Sequence, residues 1–240
     1  MYMYMYMNLD TKKMFLITLV ITILIQVLTG IIELVAVFVK VPSIYSVIRE
    51  LLIIELFVQL LEGLFYVWLA YNFTKVTNVT PKRYLDWVIT TPTMLITLMI
   101  YLIFLNKKAE NNTNGLDVVT LFKENATVFV PVMLLNWLML LFGYLGEMQI
   151  IPVLTGVLLG FIPFFVYFYM IYINYVTEHN SGYLLFWYFV LFWGLYGVAA
   201  ILPYYLKNSI YNILDLFAKN FFGIFLSYII FTGNYNFEWN

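Results

Sequence analysis

An all-α membrane protein built as a seven-helix bundle is the fold class that this 240-residue sequence predicts. Composition is the first reason: 64% of the residues are hydrophobic and 10% are charged, against about 45–50% and about 25% in soluble domains. Segment length is the second. Seven apolar runs, at 14–39, 42–73, 81–105, 126–146, 150–176, 181–206 and 209–231, each reach the ~20 residues that an α-helix needs to cross a ~30 Å hydrocarbon core.

The breaks between these runs have local causes. Lys40-Val41-Pro42, Thr77-Asn78-Val79-Thr80-Pro81, the polar stretch 106–125, Gly146-Glu147, His179-Asn180-Ser181-Gly182 and Lys207-Asn208 combine charge with turn residues. Pro42 and Pro81 fall where a helix's first turn accepts proline. Pro92, Pro131, Pro152, Pro163 and Pro203 fall inside or beside spans, where neighbouring helices can satisfy the carbonyls that proline frees. The opening Met-Tyr repeat lacks a basic segment before an apolar one, so it reads as a disordered tail or an amphipathic stub on the headgroups, not as a signal peptide. The connections on the two sides carry five lysines or arginines each, so the positive-inside rule does not orient the bundle.

Several chemistries are excluded. With no cysteine there is no disulfide and no thiolate site, and a single histidine, His179, leaves little scope for a metal centre, so none is expected. A formal charge of −1 provides no basic footprint for nucleic acid. Aromatic residues make up 20% of the chain, which suits both interfacial belts and a pocket for a flat apolar ligand.

The informative residues are charges placed where lipid should exclude them. Asp215 and Lys219 are four apart within the last run, about one helical turn and roughly 6 Å along the axis. A lone lysine in a bilayer core costs about 2.5–3.5 kcal/mol and is expected to face the bundle interior with a partner or a task. One such task is condensation with an aldehyde as a Schiff base. In the third run Arg83, Asp86 and Thr90 share a stripe at spacings of three and four. Facing the last span, this stripe would surround the amine with two carboxylates and an arginine. The plainer alternative is a pair of intrahelical salt bridges, Arg83–Asp86 and Asp215–Lys219, although buried pairs stabilise poorly compared with apolar residues.

The sequence Arg83-Tyr-Leu-Asp86-Trp87-Val-Ile-Thr90-Thr91-Pro92 resembles the third helix of microbial (type 1) rhodopsins, and Asp215-Leu-Phe-Ala-Lys219 resembles their retinal-bearing seventh helix. Asn136, Met139 and Gly143, with Trp193 and Tyr196, fit the family's fourth- and sixth-helix spacings. The resemblance implies a photoreceptor rather than an enzyme, with all-trans retinal in the core of the bundle. It implies that Lys219 carries retinal as a protonated Schiff base, that Asp86 is counterion and proton acceptor, Asp215 the second counterion, and Arg83 the gate toward the extracellular side. Trp87, Thr90, Thr91, Asn136, Met139, Gly143, Trp193 and Tyr196 would form the retinal pocket, with Thr91 hydrogen-bonded to Asn136. It also implies an extracellular tail at 1–12, a rhodopsin domain at 13–232 and a cytoplasmic tail at 233–240. Where many proton pumps of the family have a carboxylate donor this chain has Thr97, which puts fast reprotonation in doubt. Gly197 and Ala200 stand where bulkier residues are common, so a loose pocket near the ring is expected.

The second run carries Glu50, Glu55, Gln59 and Glu62. Glu55 and Glu62, seven apart, lie about 20° from one line and about 10 Å apart along the axis, a spacing that suits a hydrated cation path. Thr22 and Gln26 on the first span can face that path, and Asn220 can close a constriction with Glu62 or Glu55. Glu50 reads as a solvated interfacial residue, and Glu33 with Lys40 as an interfacial pair. Lys219-Asn220 with the second-span glutamates resembles channelrhodopsins. Tyr211-Asn-Ile-Leu-Asp-Leu-Phe-Ala-Lys-Asn-Phe-Phe-Gly and Glu62-Gly-Leu-Phe-Tyr resemble the rhodopsins of giant algal viruses, which implies the membrane of an infected host cell. The expectation is a light-gated cation channel in a lipid bilayer. A slow outward proton pump is the alternative and a photosensor the third reading. A homo-oligomer stays open, and the 106–125 connection could be a short helix, a hairpin or disorder.

Overall fold

The computed structural model describes residues 2–177 and 181–235. His179, Asn180 and the tail residues 236–240 lie outside the described residues. The chain forms helices α1 (Tyr2–Val37), α2 (Ser46–Asn72), α3 (Thr80–Ala109), α4 (Val118–Glu124), α5 (Ala126–Glu147), α6 (Val153–Tyr175), α7 (Ser181–Ala200), α8 (Tyr204–Asp215) and α9 (Phe221–Thr232). A π-wound segment, Leu216–Asn220, joins α8 to α9 and makes them one span. Seven helical spans are long and apolar enough to cross a membrane, and no strand occurs among the described residues. The protein is an integral multi-pass membrane protein.

The spans close a ring in chain order: α1 packs on α2, α2 on α3, α3 on α5, α5 on α6, α6 on α7, and the seventh span returns to α1 and α2. The third and seventh spans are the most enclosed, each 67% buried across its apolar window. Polar residues on these two helices therefore meet one another rather than lipid. Aliphatic and aromatic side chains on the other spans point outward, Leu24, Leu60 and Leu158 among them, as expected where the solvent is hydrocarbon.

Local chemistry sets the boundaries. Pro81 sits in the first turn of α3, where its missing N–H costs nothing. Inside α3, Pro92 leaves the Val88 carbonyl without its helical donor, and Trp137 Nε1 on α5 donates to it at 2.9 Å. Gly233 ends α9 in the left-handed region at φ +63°. The 106–125 connection contains the short helix α4, capped by the Asp117 side chain accepting from Thr120 N at 2.9 Å. Glu50 is not a free interfacial charge, since its carboxylate accepts the Val118 N–H at 2.9 Å and ties α4 to α2.

Two boundaries differ from expectation. The Met-Tyr repeat is continuous with α1, which begins at Tyr2. The break before the last span falls at Ile201-Leu202-Pro203, with Pro203 as N-cap of α8, not at Lys207-Asn208. Proline disfavours helix in the residue before it and outweighs a polar dipeptide. Lys207 is consequently a buried helical residue, ion-paired at 2.6 Å with Glu147 at the end of α5.

Candidate functional site

Lys219 lies within the π-wound segment. A π-turn inserts a residue into the α-helical ladder and leaves a carbonyl to be satisfied from outside, and here the Tyr188 hydroxyl donates to Phe217 O at 2.8 Å. The Lys219 amine hydrogen-bonds Asp86 across the bundle and stands 3.8 Å from Asp215 on its own helix. A third carboxylate joins them: Glu62 Oε1 on α2 is 3.5 Å away. The site is therefore more acidic than the two-carboxylate arrangement expected, with Asp86, Asp215 and Glu62 against Lys219 and Arg83.

Arg83 does not pair with Asp86 along its own helix. Its Nη1 reaches Asp215 Oδ2 at 3.2 Å, Nη2 donates to Asn212 Oδ1 at 2.5 Å, and Nε donates to Asn208 Oδ1 at 3.0 Å. The guanidinium also lies over the rings of Phe65, Tyr66 and Tyr211, 5.3–5.7 Å from their centroids. Asp215 accepts from the Tyr66 hydroxyl at 2.5 Å and from the Tyr196 hydroxyl at 2.6 Å. Charge-assisted bonds of this kind are about twice as strong as neutral ones, so Asp215 is fixed from three sides. Tyr66, Asn208 and Asn212 were not anticipated. As uncharged residues in aromatic-rich spans, they carry no signal apart from their position four residues from Glu62, Tyr204 and Asn208.

On the other side of Lys219 opens an apolar cavity. Trp87, Thr91, Met139, Gly143, Trp193 and Tyr196 line it, together with Tyr211 and Phe161, which were not anticipated. Thr90 and Asn136 stand behind the wall: Thr90 Oγ1 donates to the Asp86 carbonyl at 3.0 Å, and Asn136 Oδ1 accepts from Thr91 Oγ1 at 2.8 Å. Gly197 and Ala200 do line the cavity, but the space beside Gly197 is not loose. The Phe161 ring fills it, such that a Cβ on Gly197 would come within 2.6 Å of that ring.

Toward the face that carries α4, a second set of polar residues lies between α1, α2, α3 and α9. Thr97 Oγ1 hydrogen-bonds Glu55. Gln59 Nε2 donates to Gln26 O at 2.8 Å and to Thr29 Oγ1 at 2.6 Å, and Asn220 Nδ2 donates to the same Thr29 hydroxyl at 2.7 Å. Asn220 thus bonds Thr29, which it shares with Gln59, and neither glutamate. Thr22 lies at the Arg83 level, bonded to Asn212 O at 3.0 Å. Glu33 has no pair with Lys40. It is fully buried with both carboxylate oxygens unpartnered, while Lys40 is exposed. Among the described residues no three His, Cys, Asp or Glu side chains gather as a metal-binding group.

A buried amine at the end of an aromatic cavity, held by carboxylates from two other helices, thus lies at the core of a seven-helix membrane bundle. Residues 15–233 match the bacteriorhodopsin-like protein family, and the chain belongs to that family, the microbial rhodopsins. It is similar to the viral rhodopsin OLPVRII, at 27% identity and a TM-score of 0.77 over 90% of this chain and 96% of that one. At 18% identity it shares the fold of the blue light-absorbing proteorhodopsin from Med12 (TM-score 0.66, covering 90% and 96%). At 17% it shares that of the light-driven proton pump of Coccomyxa subellipsoidea (0.64, covering 90% and 96%). No curated protein sequence matches it.

Membership implies a retinal chromophore, and the residues present fit one. The cavity wall is aromatic and apolar, as the walls of small-molecule sites are. Its one amine, Lys219, stands at the end where the carboxylates converge.

Proposed function

We propose that this protein is a light-gated cation channel, with all-trans retinal attached at Lys219 and the N-terminus extracellular. When bound, retinal supplies the absorption of visible light and an isomerisation that displaces the positive Lys219 nitrogen. Asp86, in direct contact with that nitrogen, accepts its proton. Asp215 keeps its place through Tyr66, Tyr196 and Arg83 while this happens. Arg83, pinned by Asn208 and Asn212, blocks the extracellular half. Loss of the positive charge at Lys219 releases Glu62, which is otherwise held in the ion cluster.

The observation that carries the channel reading is the polar file on the cytoplasmic side of Lys219. Oxygens of Glu33, Glu55, Gln59 and Asn220 are buried there without a hydrogen-bond partner. An unmet buried acceptor costs about 1–3 kcal/mol. Several in one file, between helices that also supply Gln26 and Thr29, suit a path that fills with water and cations when the helices part.

One contact favours the second reading, an outward proton pump. Thr97 lacks a carboxylate, but its hydroxyl bonds Glu55, so a carboxyl group from α2 stands beside that position. Such a group could return a proton to the Lys219 nitrogen.

Voltage-clamp recording under illumination decides between them. A channel current reverses with membrane potential and its reversal follows the cation gradient. A current that stays outward at all ordinary potentials would reject the channel and leave the pump.

A further inference from the structure

Glu33 is enclosed by one feature of the seventh span. A Cβ on Gly223 would overlap the Glu33 carboxylate, so with glycine there α9 packs directly against that group, and a larger residue would force the carboxylate to shift. Glu33 lies one turn past Thr29 on α1, Glu55 one turn before Gln59 on α2, and Gly223 about one turn past Asn220. Given the direction of each helix, all three steps run toward the α4 face. Two adjacent polar layers result: Thr29, Gln59 and Asn220, then Glu33, Glu55 and Gly223.

In these layers the Gln59 amide donates to Gln26 O and Thr29 Oγ1, and the Asn220 amide to Thr29 Oγ1. Their oxygens, both Glu33 oxygens and Glu55 Oε2 have no partner. All four side chains are at least nine-tenths buried. Among the described residues neither Glu33 nor Glu55 forms an ion pair, the Lys219 amine being held by Asp86, Asp215 and Glu62. These unmet oxygens outnumber the one unmet donor in the file, Gln26 Nε2, and oxygens with two carboxylates among them form the ligand set of a hard cation. Two carboxylates balance a divalent ion, whereas a monovalent one leaves a charge uncompensated in a medium where that is costly.

We infer that Glu33, seated against Gly223 and acting with Glu55, Gln59 and Asn220, is the charge of an intramembrane binding station for a hard, preferably divalent, cation. Its role in permeation rests on the channel reading, while its ability to bind does not.

The two parts are tested separately on the full-length, retinal-loaded protein. In detergent at constant ionic strength, CaCl2 in place of NaCl should raise the midpoint of thermal bleaching of the wild type, with an apparent affinity at least tenfold weaker in Glu33→Gln and Gly223→Ala. An equal calcium response in wild type and Glu33→Gln, or no response in the wild type, would overturn the station. Glu33→Gln preserves shape, so it decides the matter even if Gly223→Ala does not fold. Under voltage clamp, Glu33→Gln should lower the calcium-to-sodium permeability ratio several-fold, and an unchanged ratio would overturn the role in permeation. A wild-type current that never reverses rejects the channel reading alone, and the bleaching titration still judges the station.

Discussion

The Glu62 carboxylate lies 3.5 Å from the Lys219 amine, and both side chains are buried. Glu62 therefore belongs to the ion cluster as much as to the path beyond it. Glu62→Gln keeps the size of the side chain and leaves Lys219 and Arg83 facing Asp86 and Asp215, a neutral set. The variant should fold, bind retinal and keep its colour, while its photocurrent amplitude or reversal potential changes several-fold. Wild-type currents from this variant would return Glu62 to a packing role.

Lys219→Ala removes the amine that the cavity presents. Addition of retinal to this variant should give no visible absorption band, and a retained band would refute retinal attachment at this site.

Asp215→Asn removes the charge, and one of the two acceptor oxygens, that Tyr66, Tyr196 and Arg83 share. Removing one partner of a buried ion pair costs about 3–5 kcal/mol. A loss of that size should appear as faster thermal bleaching than in wild type, and an equal bleaching rate would show that the tyrosines and asparagines hold Arg83 unaided.

Lys207→Met leaves Glu147 nine-tenths buried without its cation, at a similar cost of about 3–5 kcal/mol. Adding Glu147→Gln should recover most of the loss, because the uncompensated charge goes with it. A double variant no more stable than Lys207→Met would mean that Lys207 acts through packing.

Asp117 titrates outside the spans. Hydrogen bonds from Thr120, its hydroxyl first and its backbone N–H second, hold the carboxyl below its ordinary 3.8. A group lowered on folding stabilises above its unfolded value and loses that contribution as pH falls through the folded one. Amide protection across α4, corrected for intrinsic exchange, should therefore fall below about pH 4 in wild type and show no such step in Asp117→Asn. A step of equal size in both would assign the acid sensitivity to another group.

Arg83, Asp86, Asp215 and Lys219 were legible in the sequence because a charge in an apolar run demands a partner, and helical spacing narrows where that partner can be. The glutamines and asparagines around them were less legible, since burial of an uncharged residue depends on which neighbour it meets. Glu33 shows the limit. Lys40 seven residues on suggested an interfacial pair, whereas the carboxylate is buried with α9 packed against it at Gly223. Lys207-Asn208 looked like a loop for a related reason. Its charge is met by Glu147, 60 residues earlier, a contact that no local pattern records.

The π-wound segment acts as a phase shifter for the end of the chain. One extra residue in a helix turns everything after it by about 100°. Without it, a straight α-helix that still aimed Lys219 at Asp86 would swing Asn220 and Gly223 off the α1 surface where Thr29 and Glu33 wait. A single inserted residue thus lets one helix present two differently directed faces, the first to the chromophore cavity and the second to the polar file.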